Sequence, residues 1–78
     1  MPTILEWKGW KFLFYSSDRA EPPHVHVRKD RKEAKFWLDN VVVARNARCS
    51  ATELNALTDV VAQNRERFLE AWNEHFRG

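Results

Sequence analysis

The chain has 78 residues, 44% hydrophobic and 31% charged, with a formal net charge of +2. That is one domain over residues 1–78, with a small stability margin, because so short a chain buries only about 60% of its unfolded surface. A lone cysteine, Cys49, excludes an internal disulfide framework, and no apolar run approaches the ~20 residues that span a bilayer. Met1-Pro2-Thr3 leads into strand-like sequence without the basic and apolar regions of a secretion signal. The expectation is a cytoplasmic protein with no membrane partner. Four Trp, five Phe and one Tyr supply the core, each ring burying on the order of 150–250 Å².

Residues 4–7 and 10–15 read as two strands joined by Lys8-Gly9, where glycine supplies the positive φ of a tight hairpin. On the second strand Trp10, Phe12 and Phe14 share a face and Lys11, Leu13 and Tyr15 share the other. Residues 16–23 are polar and end in Pro22-Pro23, which cannot donate ladder hydrogen bonds, so the spacing predicts a loop there. Residues 24–29 and 34–39 follow as strands three and four, with Arg28-Lys29-Asp30-Arg31-Lys32 at their turn. Asp39-Asn40 is turn-prone and residues 41–45 form a short fifth strand.

The period then changes. Ser50-Ala51-Thr52-Glu53 is a capping box, with Cys49 and Leu54 at the positions of its hydrophobic staple. Leu54, Leu57, Val61, Phe68 and Trp72 form one apolar stripe, broken near Asn64 or Arg65, with Gly78 available as a terminator. A straight helix of about 26 residues would be ~39 Å long, so a bend near Asn64 or an overhang used for dimerisation is expected. The fold class is α+β: a small two-layer domain, an antiparallel sheet of four to five strands (1–49) backed by one long C-terminal amphipathic helix (50–77). Trp7, Trp10 and Trp37 exceed what one protomer is expected to bury, which points to a homodimer.

His24-Val25-His26-Val27 is the most informative segment. In a strand both imidazoles share one face while the valines enter the core. The expected exposed face, away from the helix, carries His24, His26, Arg28, Lys35 and Trp37. Four readings stay open for the histidines. They could ligate a divalent metal with a third group, Glu21, Asp18 or His75. They could work as a catalytic acid–base pair beside Arg28 or Lys35. They could bind a nucleotide or partner chain, or they could simply fix the Pro-Pro turn. There is no Cys-pair zinc pattern, and two glycines with no phosphate-cradling loop argue against a nucleoside-triphosphate enzyme. Residues 1–49 carry ten Lys/Arg against six Asp/Glu, whereas residues 50–78 carry three against five. Arg28, Lys29, Arg31, Lys32, Lys35 and Trp37 are the candidate surface for RNA or DNA; the other reading of the basic run is a solvated hairpin turn kept soluble by its charges.

Along almost its whole length the chain resembles a family of small bacterial proteins, domain of unknown function 4160. The resemblance is carried by the aromatic strand Trp10-Lys11-Phe12-Leu13-Phe14-Tyr15, the signature Pro22-Pro23-His24-Val25-His26 and the helical Leu69-Glu70-Ala71-Trp72. It departs at Ala44-Arg45-Asn46-Ala47-Arg48, where relatives often carry a Gly-x-Leu-Pro-like stretch. The resemblance imports no activity or cofactor. It implies a small protein encoded beside a second short gene, whose product is a candidate partner in a toxin–antitoxin-like pair. The expected function is an interaction module with a basic His/Arg/Lys/Trp sheet face. The alternative is a small metal-dependent hydrolase or acid–base RNase using His24 and His26, with Glu21 completing the metal set.

Overall fold

Residues 3–77 are described by a computed structural model; the terminator expected at Gly78 lies outside them. Five strands, β1 (Thr3–Trp7), β2 (Trp10–Leu13), β3 (His24–Lys29), β4 (Lys32–Trp37) and β5 (Val42–Ala47), form one antiparallel sheet in the order β1-β2-β3-β4-β5. Its turns are short and left-handed in backbone. Lys8 and Gly9 have φ of 49° and 84°, and Asp30 has 54°. A Cβ on Gly9 would also stand 3.2 Å from Lys29 Cε, so side-chain crowding adds to the conformational need. The β4–β5 turn puts Val41 at φ 51°, a costly position for a β-branched residue.

Register sorts the side chains. Phe12 pairs with Val27, Val27 with Ala34 and Val25 with Phe36, and all five are buried. Directly opposed residues share a face, so this is the core side. The other face carries Lys11, Arg28 and Glu33 in one row and Leu13, His26, Lys35 and Arg45 in the next.

The C-terminal helix is two helices, α1 (Ala51–Gln63) and α2 (Arg65–Phe76). The capping box forms at the start of α1: Glu53 N–H donates to Ser50 Oγ at 3.1 Å and Ser50 N–H to Glu53 Oε1 at 2.9 Å. Cys49 is buried, as the staple role requires, and the burial pushes its thiol pKa up. Asn64 breaks the run. Its backbone leaves the helical region at φ −111°, ψ 14°, and its side-chain amide donates to Val60 O at 2.8 Å, competing with the backbone ladder. Arg65 then reaches across to Leu38 O at 2.6 Å and Asp39 O at 3.2 Å, pinning the start of α2 to the end of β4.

The redirected α2 stacks Phe68 on Phe12, with ring centroids 5.6 Å apart, and sets Trp72 edge-on to Phe14 at 5.2 Å. Each such fully buried side chain contributes about 1.5–3 kcal/mol. Of the stripe read from the sequence, Leu57, Val61, Phe68 and Trp72 are buried and Leu54 is partly so, with Val60 joining them. The break replaces the overhang expected of a straight helix. Trp10 is buried and Trp7 and Trp37 are half-buried, so one protomer covers more of these rings than their number suggested. Among the described residues the large hydrophobics left exposed are Val42 and Val43, both on the edge strand β5.

Candidate functional site

The segment expected as a loop contains a 3₁₀ helix, Ser16–Ala20, and this changes the face of the sheet. Asp18 N–H donates to Tyr15 O at 3.0 Å, and Tyr15 N–H donates back to Asp18 Oδ2 at 2.9 Å. The reciprocal pair holds the carboxylate inward, where it is only 6% exposed. It meets both histidines. His26 Nε2 lies 3.1 Å from Oδ1 and 3.0 Å from Oδ2, and His24 Nε2 lies 3.1 Å from Oδ1.

The two imidazoles differ in access. His26 is half-buried under the Tyr15 ring, at 4.4 Å between centroids. His24 is fully buried, wedged against Trp37 and Trp72 at 5.5 and 5.1 Å. The face away from α1 is therefore covered at this end, by the 3₁₀ helix and by Trp72 of α2. His24 is not on display as the alternation alone suggested. Of the two imidazoles, His26 is the one that reaches solvent.

Electrostatics follow from the packing. Burial opposes the charge on Asp18, but the hydrogen bonds from the Tyr15 N–H and from His26 outweigh it and hold the carboxyl pKa below its ordinary value. Burial lowers the pKa of His26, and Asp18 only partly offsets this. Glu33, which sequence reasoning missed, stands behind the cluster. Its Oε2 is 3.6 Å from His26 Nδ1 and accepts from Tyr15 Oη at 3.2 Å. Burial and the Glu33 charge raise the Tyr15 pKa against the pull of Arg28. The cross-strand pair Arg28–Glu33 was the available sequence signal.

Glu21 does not join the histidines. It is exposed and ion-paired with Lys35, which lowers its pKa. Among the described residues, the three side chains that converge with metal-ligand spacing are Asp18, His24 and His26. His75 is exposed, its ring packing against Phe14 and Phe76.

The basic residues divide. Lys35 is held by Glu21 and lies over the Trp37 ring at 4.6 Å, and Lys32 pairs with Glu53 at 2.5 Å. Lys29 donates to Lys8 O at 3.1 Å. Among the described residues Lys11, Arg28, Lys29 and Arg31 make no ion pair. Three of these four line an open groove of about 490 Å³, together with Gly9, Leu13 and Asp30. The groove extends as far as Leu13, the β2 partner of His26.

Fold and site together define a small α+β domain, a five-stranded meander backed by paired helices, with a His-x-His strand closed over by an aspartate. The family model for a domain of unknown function (DUF4160) matches residues 9–73, and the chain belongs to that family. No curated protein and no solved structure matches it.

Proposed function

We propose that this chain is an interaction module that grips the phosphate backbone of single-stranded nucleic acid, as one member of a toxin–antitoxin-like pair. The observation that carries the ligand is the groove: Lys11, Arg28 and Lys29 surround it without carboxylate partners among the described residues, while Lys32 and Lys35 are already neutralised. Unpaired cations cost less to bring to a phosphate than cations that must first leave a carboxylate. The binding surface thus lies toward the β1–β2 and β3–β4 turns, rather than across the whole of strands three and four. The paired gene product is what the family resemblance suggests, and such a module would work in the cytoplasm. A second copy meeting along β5, where Val42 and Val43 are exposed, would make it a homodimer.

The test is fluorescence anisotropy with a labelled single-stranded RNA at low salt. A Lys11→Glu/Arg28→Glu double variant should lose binding, while Arg67→Glu on α2 should retain it. An RNA that the wild-type chain does not hold at low salt would sink this reading. Capture of an acidic partner protein at the same groove would replace it.

A second reading, a small enzyme acting on the same ligand, is favoured by His26, the cross-strand neighbour of the groove residue Leu13. Because His24 is fully buried, an acid–base RNase here would use His26 with Tyr15 or Glu33, not the two imidazoles as exposed partners. The other form is a metal-dependent hydrolase. Cleavage of bound RNA that His26→Gln abolishes without loss of binding would establish the enzyme. Stable, uncut RNA would leave the binding module alone.

A further inference from the structure

The binding module makes no use of His24, the one titratable side chain among the described residues that is wholly enclosed. Its ring nitrogens have separate fates. Nδ1 lies 2.8 Å from the carbonyl of Pro22, and a carbonyl oxygen only accepts, so Nδ1 carries the hydrogen. Nε2 is buried and has no hydrogen-bond partner. Asp18 Oδ1 is 3.1 Å away but lies off the line a hydrogen bond needs. In the neutral ring the Nε2 lone pair therefore stands beside a carboxylate oxygen, with water shut out. Buried polar atoms are rarely left in that condition.

We propose that Asp18, His24 and His26 form a binding site for one divalent first-row transition cation. The ion would sit where His24 Nε2, His26 Nε2 and the Asp18 carboxylate converge. A cation there turns the unfavourable contact at His24 into two bonds.

The spacing suits it. Metal bonds of about 2.0–2.1 Å, at angles between octahedral and tetrahedral, set neighbouring donors roughly 2.9–3.4 Å apart. The nitrogen-to-carboxylate distances are 3.0–3.1 Å, and all three donors lie within 4.8 Å of one another.

The groups behind the ligands suit it as well. Metal-bound imidazoles commonly turn their remote nitrogen to a carbonyl or a carboxylate. His24 turns Nδ1 to Pro22 O, and His26 turns Nδ1 toward Glu33 Oε2 at 3.6 Å. The Tyr15 N–H fixes the carboxylate from the far side at 2.9 Å. Pro22-Pro23 and the 3₁₀ helix thereby orient ligands that sit six and eight residues apart in the chain. Two imidazoles and one carboxylate favour zinc and its neighbours over magnesium or calcium, which take oxygen ligands. Three protein ligands leave coordination open, which water would complete.

The experiment uses the full chain purified without a histidine tag and stripped with chelator, titrated with zinc chloride by calorimetry. One zinc per chain is expected. Asp18→Asn and His26→Gln should each weaken uptake at least about 30-fold, while His75→Gln stays within about twofold. A wild-type chain with no saturable uptake below about 1 mM zinc overturns the proposal, on a range far weaker than real zinc sites. So does uptake that Asp18→Asn and His26→Gln leave intact, or that His75→Gln removes. Should either site variant lose its folded circular-dichroism spectrum, long-range ¹H–¹⁵N spectra of the wild-type imidazoles decide alone. Zinc must then shift Nε2 of His24 and His26 and spare His75; the reverse pattern refutes the site. Nucleic-acid binding is read separately, so failure of the groove would leave this result standing.

Discussion

Trp72 joins α2 to both the core and the site, and Trp72→Phe tests that joint. The indole is 7% exposed, edge-on to Phe14 at 5.2 Å, against His24 at 5.1 Å and Phe76 at 4.2 Å. Replacing it by phenyl removes about 40 Å² of buried apolar area, or about 1 kcal/mol at ~25 cal/mol per Å². The surrounding rings come from the segment after β2, from β3 and from α2 itself and cannot all close in, so the residual cavity adds about as much again. A domain of this size loses about 4–8 °C in melting temperature per kcal/mol, so ~2 kcal/mol predicts a fall of about 8–16 °C by circular dichroism. Urea denaturation should give the same ~2 kcal/mol with an unchanged m-value. Hydrogen exchange at the His24 and Val25 amides should quicken with the global loss. A melting temperature within about 2 °C of wild type would mean that Trp72 is not packed over His24, and the enclosed site would lose its lid.

Three further outcomes follow from local physics. Ser50→Ala removes the oxygen that accepts the Glu53 N–H and should cost about 1 kcal/mol in urea denaturation; no loss would mean that the capping box does not form in solution. In chelator, the metal-free chain should lose stability on acidification. His26 has a folded pKa below its ordinary 6.5, so its contribution is complete above that value and declines as pH falls through the folded value; Asp18, depressed below 3.8, adds a second loss at lower pH. His26→Gln should flatten the first of these declines, and a stability that rises on acidification to pH 5 would reverse the assigned sign. Finally, light scattering at high concentration should show a dimer that Val43→Lys dissociates, since Val43 is exposed on the edge strand; a wild-type monomer would end the homodimer.

The fold was legible because it rests on local periods. Alternation at His24–Val27, the Lys8-Gly9 turn and the Ser50–Glu53 box each constrain a few neighbouring residues, and each forms as those neighbours dictate. The bend at Asn64 was readable as a gap in the stripe. The site was half legible. The two histidines were marked by spacing, but the side chain that joins them depends on Ser16–Ala20 folding into a 3₁₀ helix. The reciprocal bonds between Tyr15 and Asp18 that close it have only a polar tripeptide as their sequence signal. Burial of His24 by Trp72 links residues 48 positions apart, which no periodicity encodes. The same applies to charge. Lys35–Glu21 and Lys32–Glu53 are long-range pairs, and they decide which part of the basic run remains available.

The salt dependence of nucleic-acid binding tests the central claim most directly. Each phosphate contact on a single strand contributes about −0.7 to the slope of log K against log salt. Lys11, Arg28, Lys29 and Arg31, making two to four contacts, predict a slope of about −1.4 to −2.8, and Lys11→Glu/Arg28→Glu should weaken binding and flatten the slope together. A slope near zero, or one that the double variant leaves unchanged while Lys32→Glu and Lys35→Glu abolish it, would contradict the groove as the binding surface.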